Sequence, residues 1–181
     1  MKYNSKQGIY ERFDGHHGPV TSIDCHQGTG QINFSDLFLT ASTDWTCKLW
    51  SQKHGNKPIY SFEDAGDYIY DARWCPSHPA MFVTGDGSGM VDLWNLNEET
   101  EVPILKTQVS NRAINKLRWH ADGKKLLVGD AAGALYVYET GEITAPKNDE
   151  WNVFESTIQK LITFEQESLQ ASQNTEKKDL L

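Results

Sequence analysis

Several clusters of side chains in this sequence are of types that do chemistry. Gly85-Asp86-Gly87-Ser88-Gly89 has the glycine content of a loop that cradles phosphate. Cys25-His26, with His16 and His17 upstream, offers thiolate and imidazole, ligands that zinc accepts. Asp67 and Asp71 flank aromatics in DYIYDARW. Spacing argues against each as a reactive centre. The glycine cluster lacks a third glycine at the right step and runs into MVDLW, a strand, so no helix N-terminus stands behind it. The Cys and His spacing fits no compact metal knuckle, and Cys25 aligns with Trp74 and Trp119 as an inward-facing core position. Alternation sends Asp71 to solvent or to a contact between repeats. No G-x-S-x-G elbow, H-E-x-x-H or P-loop occurs. The expectation is a protein that is not an enzyme and holds no metal and no cofactor.

The elements that must position these residues repeat. LFLTASTDWTCKLW (37–50), MFVTGDGSGMVDLW (81–94) and KLLVGDAAGALYVY (125–138) end on Trp50, Trp94 and Tyr138, at a step of 44 residues. Ahead of them stand VTSIDC (20–25), IYDARW (69–74) and INKLRW (114–119), alternating as half-buried strands do. The first gap is longer because HQGTGQINFSD is inserted there. KPIYSFED (57–64) and EVPILKTQ (101–108) repeat as a fourth strand, and GEITAPK (141–147) is a looser third copy. Asp and Gly in the turns STDW, GDGSG and GDAAG supply what a tight hairpin needs. A period near 44 with four short strands per unit predicts β-propeller blades.

The spacing therefore predicts an all-β fold, three blades of an incomplete WD-repeat β-propeller followed by one amphipathic helix. The blades are expected over 14–64, 65–108 and 109–147 within a domain spanning 1–147. The first blade resembles those of WD-repeat proteins in carrying His16, Asp44 and Trp50, and the resemblance implies a hydrogen-bonded chain among them, bridged by Thr40 or Ser42. Trp94 takes the place of Trp50 in the second. The second and third repeats lack the His and should lean more on apolar packing. In 148–168, Trp151, Phe154, Ile158, Leu161 and Ile162 share one helix face, which either docks on the propeller or helps to hold a partner. Trp151, Phe154 and Ile158, with the aromatics Tyr68 and Tyr70, are the candidate partner-binding residues. The polar stretch 169–181 is expected to be disordered.

Composition narrows the function classes. A net charge of −8, from 17 basic and 25 acidic residues, does not steer a protein toward nucleic acid. Three cysteines, an odd number at spacings that match no framework, suggest reduced intracellular thiols. The first residues lack the apolar core of a signal peptide, and no apolar run is long enough to span a bilayer.

Particular phrases carry more than the period does. FDGHHGPVTSIDCH, DWTCKLWS, NKPIYSFED, WNLNEETEVP and NDEW resemble the C-terminal propeller of cytoplasmic dynein intermediate chains, over about residues 8 to 165. The resemblance implies a non-catalytic scaffold of the dynein motor complex that binds the heavy-chain tail and supports microtubule-based transport. It implies a cytoplasmic, cytoskeleton-associated location, contacts with other dynein subunits, and no direct microtubule binding. An adaptor platform for another assembly is the alternative. A closed propeller needs at least four blades, so three leave two open faces. The expectation is a piece of a longer chain, or else a short paralogue that pairs with another chain.

Overall fold

Apolar residues on alternate positions, punctuated by Asp and Gly turns, give eleven strands and one helix among the described residues. The computed structural model describes residues 8, 11–28 and 30–179, with side chains described through residue 168. The first sheet contains β1 (Val20–Cys25), β2 (Leu37–Ser42), β3 (Cys47–Ser51) and β4 (Tyr60–Phe62). The second contains β5 (Ile69–Trp74), β6 (Met81–Asp86), β7 (Met90–Asn95) and β8 (Leu105–Gln108). The third contains β9 (Ile114–Trp119), β10 (Lys125–Asp130) and β11 (Leu135–Glu139). Each is an antiparallel meander in chain order. The inner strands β1, β5 and β9 approach one another in sequence, as the inner strands of successive blades do. The array is an unclosed set of propeller blades.

Packing between blades follows from which face each residue takes. Ala72 and Trp74 of β5 face the first sheet, and Leu117 and Trp119 of β9 face the second; all four are buried. Between the first two blades, Phe62 meets Phe82 and Trp94 at ring-centroid distances of 4.9 and 5.0 Å. Between the second and third, Thr107 pairs with Val91 where Phe62 pairs with Cys47. The smaller side chain leaves an apolar cleft of about 120 Å³, lined in part by Val83, Leu93, Leu105, Leu126 and Tyr138.

Three expectations need correction. GEITAPK forms turns rather than a fourth strand, leaving the third sheet with three strands among the described residues. Gly141 sits at φ 60° and Pro146 lacks a ladder donor, so the segment is poorly suited to pairing. The helix α1 spans Glu150–Asp179, well past 168, into the stretch expected to be disordered. That stretch has no Gly or Pro, and its Leu, Gln, Lys, Ala and Glu residues can continue a helix already nucleated. The last two residues of the tail lie outside the described ones, as do most of the first ten. Cys25 is exposed rather than core. It and Ile23, 60% exposed, take the face of β1 that in β5 and β9 is covered by the preceding sheet, and no described element covers it here.

Candidate functional site

In the first blade a chain of hydrogen bonds runs across the sheet. Trp50 at the end of β3 donates its indole N–H to Thr40 Oγ1 (2.7 Å). Thr40 lies 2.6 Å from His16 Nε2, and His16 Nδ1 lies 2.8 Å from Asp44 Oδ2. A carboxylate only accepts, so Nδ1 carries the proton, Nε2 accepts from the Thr40 hydroxyl, and every donor in the chain has an acceptor. Asp44 also receives Thr46 Oγ1 and the main-chain N–H groups of His17 and Thr46. Burial opposes its charge, but these donors outweigh burial and hold the carboxyl well below its ordinary range. Thr40 is therefore the bridge. Ser42 accepts from Asp44 N–H instead (3.1 Å) and secures the turn.

Burial lowers the His16 pKa from the ordinary imidazole value of 6.5, against the pull of Asp44. As pH falls through 6.5 the unfolded chain takes up a proton that the folded chain resists. The stability tied to neutral His16 is thus full above that value and declines below it. Burial moves His26 and His78 the same way, so the His16 part is read as a difference between variant and parent. His16→Gln is expected to cost about 1–3 kcal/mol at pH 7.5 by stranding Thr40 and Asp44. The gap should narrow at pH 5, measured by urea unfolding at both values. An equal gap at both would show that His16 does not titrate as argued.

The chain weakens along the repeat. In the second blade Trp94 donates to Thr84 at a longer 3.3 Å, and Asp86 spends its Oδ1 on Ser88 and Met90 within its own turn. In the third, Val128 stands at the threonine position and Tyr138 at the tryptophan. Asp130 caps its turn through Ala132 and Ala134. The second blade also buries Asp92, whose pKa desolvation pushes up to about 6.

The residues proposed to meet a partner divide. Phe154 and Ile158 are 0% and 5% exposed, built into the core with Ile162. They hold α1 on the blades and are not available to another chain. Trp151 is half-buried and lies over Gly30, whose φ of 122° and lack of a Cβ permit that approach. Helical periodicity marks an apolar face but cannot say whether the face meets self or partner. Tyr70 is half-buried, whereas Tyr68 is 45% exposed and meets Trp45 edge-to-face at 6.5 Å.

The reactive-looking groups do not converge. His26 is buried, and its Nε2 lies 3.0 Å from the Pro79 carbonyl while Nδ1 accepts from Gly28 N–H. Burial pushes the Cys47 and Cys75 thiols up, which disfavours the thiolate. Of the two places that alternation allows Asp71, the fold takes the contact between repeats. The residue is fully buried, and its carboxylate takes Ser22 Oγ from β1 (2.6 Å) and Leu117 N–H from β9 (2.9 Å), tying three blades through one side chain. Arg73 lies between it and Asp24, at 3.0 and 3.3 Å. Asp24 repeats the device by accepting Trp74 N–H.

What this arrangement offers is a set of rims and faces, with no converging set of reactive groups among the described residues. Comparison with known proteins agrees with the architecture. Residues 6–140 match the family model described as the dynein axonemal intermediate chain 3 WD40 domain. The chain is 44% identical over 162 residues to a protein named cytoplasmic dynein 1 intermediate chain from Drosophila melanogaster. The match covers 88% of this chain and 24% of that relative, so the chain spans about a quarter of the relative's length.

Proposed function

The chain belongs to the family of dynein intermediate chain WD40 domains, and from that membership we propose that it is a non-catalytic scaffold of the cytoplasmic dynein motor complex. The observation that carries the reading is the 44% identity to the cytoplasmic relative over 88% of the chain. In this reading the blades dock on the tail of the dynein heavy chain and support microtubule-based transport. Other dynein subunits share the assembly, and the location is cytoplasmic and cytoskeleton-associated. Motor chemistry and filament binding belong to the heavy chain. A net charge of −8 favours neither an acidic filament nor nucleic acid, and no described helix is long and apolar enough to cross a membrane.

Recognition would be by surface. The rim carrying Tyr68 and the outward side of α1, where Val153 and Phe164 are 44% and 67% exposed, are the surfaces proposed to contribute. The full chain is expected to co-purify with a heavy-chain tail fragment at moderate salt. Failure to do so would sink the dynein reading and leave a WD-repeat adaptor of some other assembly.

A further inference from the structure

The hairpin turns joining the second and third strands of each blade share one geometry. The turns closed by Ser42 and Thr46, Asp86 and Met90, and Asp130 and Ala134 follow the same strand register. Each places its fourth residue at positive φ. In the second and third blades that residue is Gly89 (φ 92°) or Gly133 (φ 87°), which the left-handed region favours. In the first it is Trp45, at φ 71°. A bulky side chain is strongly disfavoured there. Nor does core packing account for it, since Trp45 is 49% exposed. Its ring meets Tyr68, itself 45% exposed, across the junction of the first and second blades. The corresponding inter-blade loop before the third inner strand has Ala113 in place of Tyr68.

We propose that Trp45 and Tyr68 form a docking site for an arginine side chain carried on an extended, basic segment of a partner chain. The occupant follows from charge. Residues 42–46, 65–68 and 86–90, which gather at this rim, contribute Asp44, Asp67 and Asp86 and no Lys or Arg. Asp67 adjoins Tyr68, accepts its main-chain N–H at 2.7 Å, and forms no ion pair among the described residues. A guanidinium over the indole face, with Asp67 beside it, satisfies both the aromatic quadrupole and the uncompensated carboxylate. An acidic segment would be repelled. The site lies on a different surface from α1 and does not depend on the heavy chain being the partner.

The test uses the full chain and fluorescein-labelled hexapeptides alternating Gly with Arg, Leu or Glu, followed by anisotropy. The Arg peptide is expected to bind, and the Leu and Glu peptides to bind at least about tenfold more weakly. Trp45→Gly should weaken Arg-peptide binding at least about tenfold while leaving the melting temperature unchanged or higher, because Gly suits the backbone. Asp67→Asn should weaken it several-fold and flatten its salt dependence. Equal binding of the Leu peptide would make the site merely apolar and overturn the proposal. So would unchanged Arg-peptide affinity in Trp45→Gly, or a lowered melting temperature in that variant, which would mark Trp45 as structural.

Discussion

Asp71→Ala is expected to destabilise the protein by about 3–5 kcal/mol, the cost of breaking a buried charge pair and leaving its partners stranded. Asp71 stands on β5, the inner strand of the middle blade, with no solvent exposure. One oxygen accepts from Ser22 Oγ and Ala72 N–H and lies 3.0 Å from the Arg73 guanidinium. The other accepts from Leu117 N–H, and Lys116 Nζ approaches to 3.9 Å. Alanine would leave the Leu117 N–H without an acceptor inside the array and Arg73 with Asp24 alone. Asp71→Asn should cost less. Its oxygen can keep Ser22 Oγ, Ala72 N–H and the Arg73 guanidinium, so that the Leu117 N–H is the hydrogen-bond donor left without its acceptor. The expected order in urea unfolding, followed by tryptophan fluorescence, is parent, then Asp71→Asn, then Asp71→Ala. An alanine variant within about 1 kcal/mol of the parent would show that the blades do not depend on this carboxylate.

The contrast between His16 and Asp71 shows what a sequence reveals here. His16, Asp44 and Trp50 are visible because each stands at a recognisable point of one blade, and the fold chooses Thr40 over Ser42 as the hydroxyl between them. Asp71 binds across blades. Ser22 and Leu117 lie 49 and 46 residues away, and one of the groups it holds is a main-chain N–H, which leaves no mark in residue type. Alternation narrows Asp71 to solvent or a blade contact, and only the packed array decides between them.

The insertion and the helix teach the same lesson. HQGTGQINFSD reads in the sequence as extra loop that breaks the spacing of the first repeat. In the fold it brings His26, Gly30 and Phe34 to the place where α1 lands. Periodicity shows that Trp151, Phe154 and Ile158 share a face; their counterpart lies in a segment without periodicity of its own. The failed fourth strand of the third blade has another cause. Strand pairing is decided by neighbours as much as by propensity, and GEITAPK is the weakest copy.

Phe154→Ala should cost about 3–5 kcal/mol, the range for removing a fully buried aromatic. The ring sits 4.8 Å from Phe34 edge-on, 6.1 Å from Trp74, and stacks with His26 at 6.2 Å. These neighbours belong to the insertion and to β5, so the ring closes a core shared by two blades rather than a private socket for the helix. Phe34, Trp74 and Phe82 continue the same cluster to Phe62. The N-terminal turn of α1 is held separately, by Asn97 on the Glu150 carbonyl at 3.0 Å and by Asn97 and His78 at the Glu150 carboxylate. Loss of the ring should therefore lower one cooperative transition, with helical circular dichroism and tryptophan fluorescence still moving together. Val153→Ala, on the exposed side of the same turn, should cost less than about 0.5 kcal/mol. Equal effects from the two variants would mean that α1 merely rests on the blades. An early, separate loss of helix in Phe154→Ala would mean that the shared core is two cores, and that the blades stand without it.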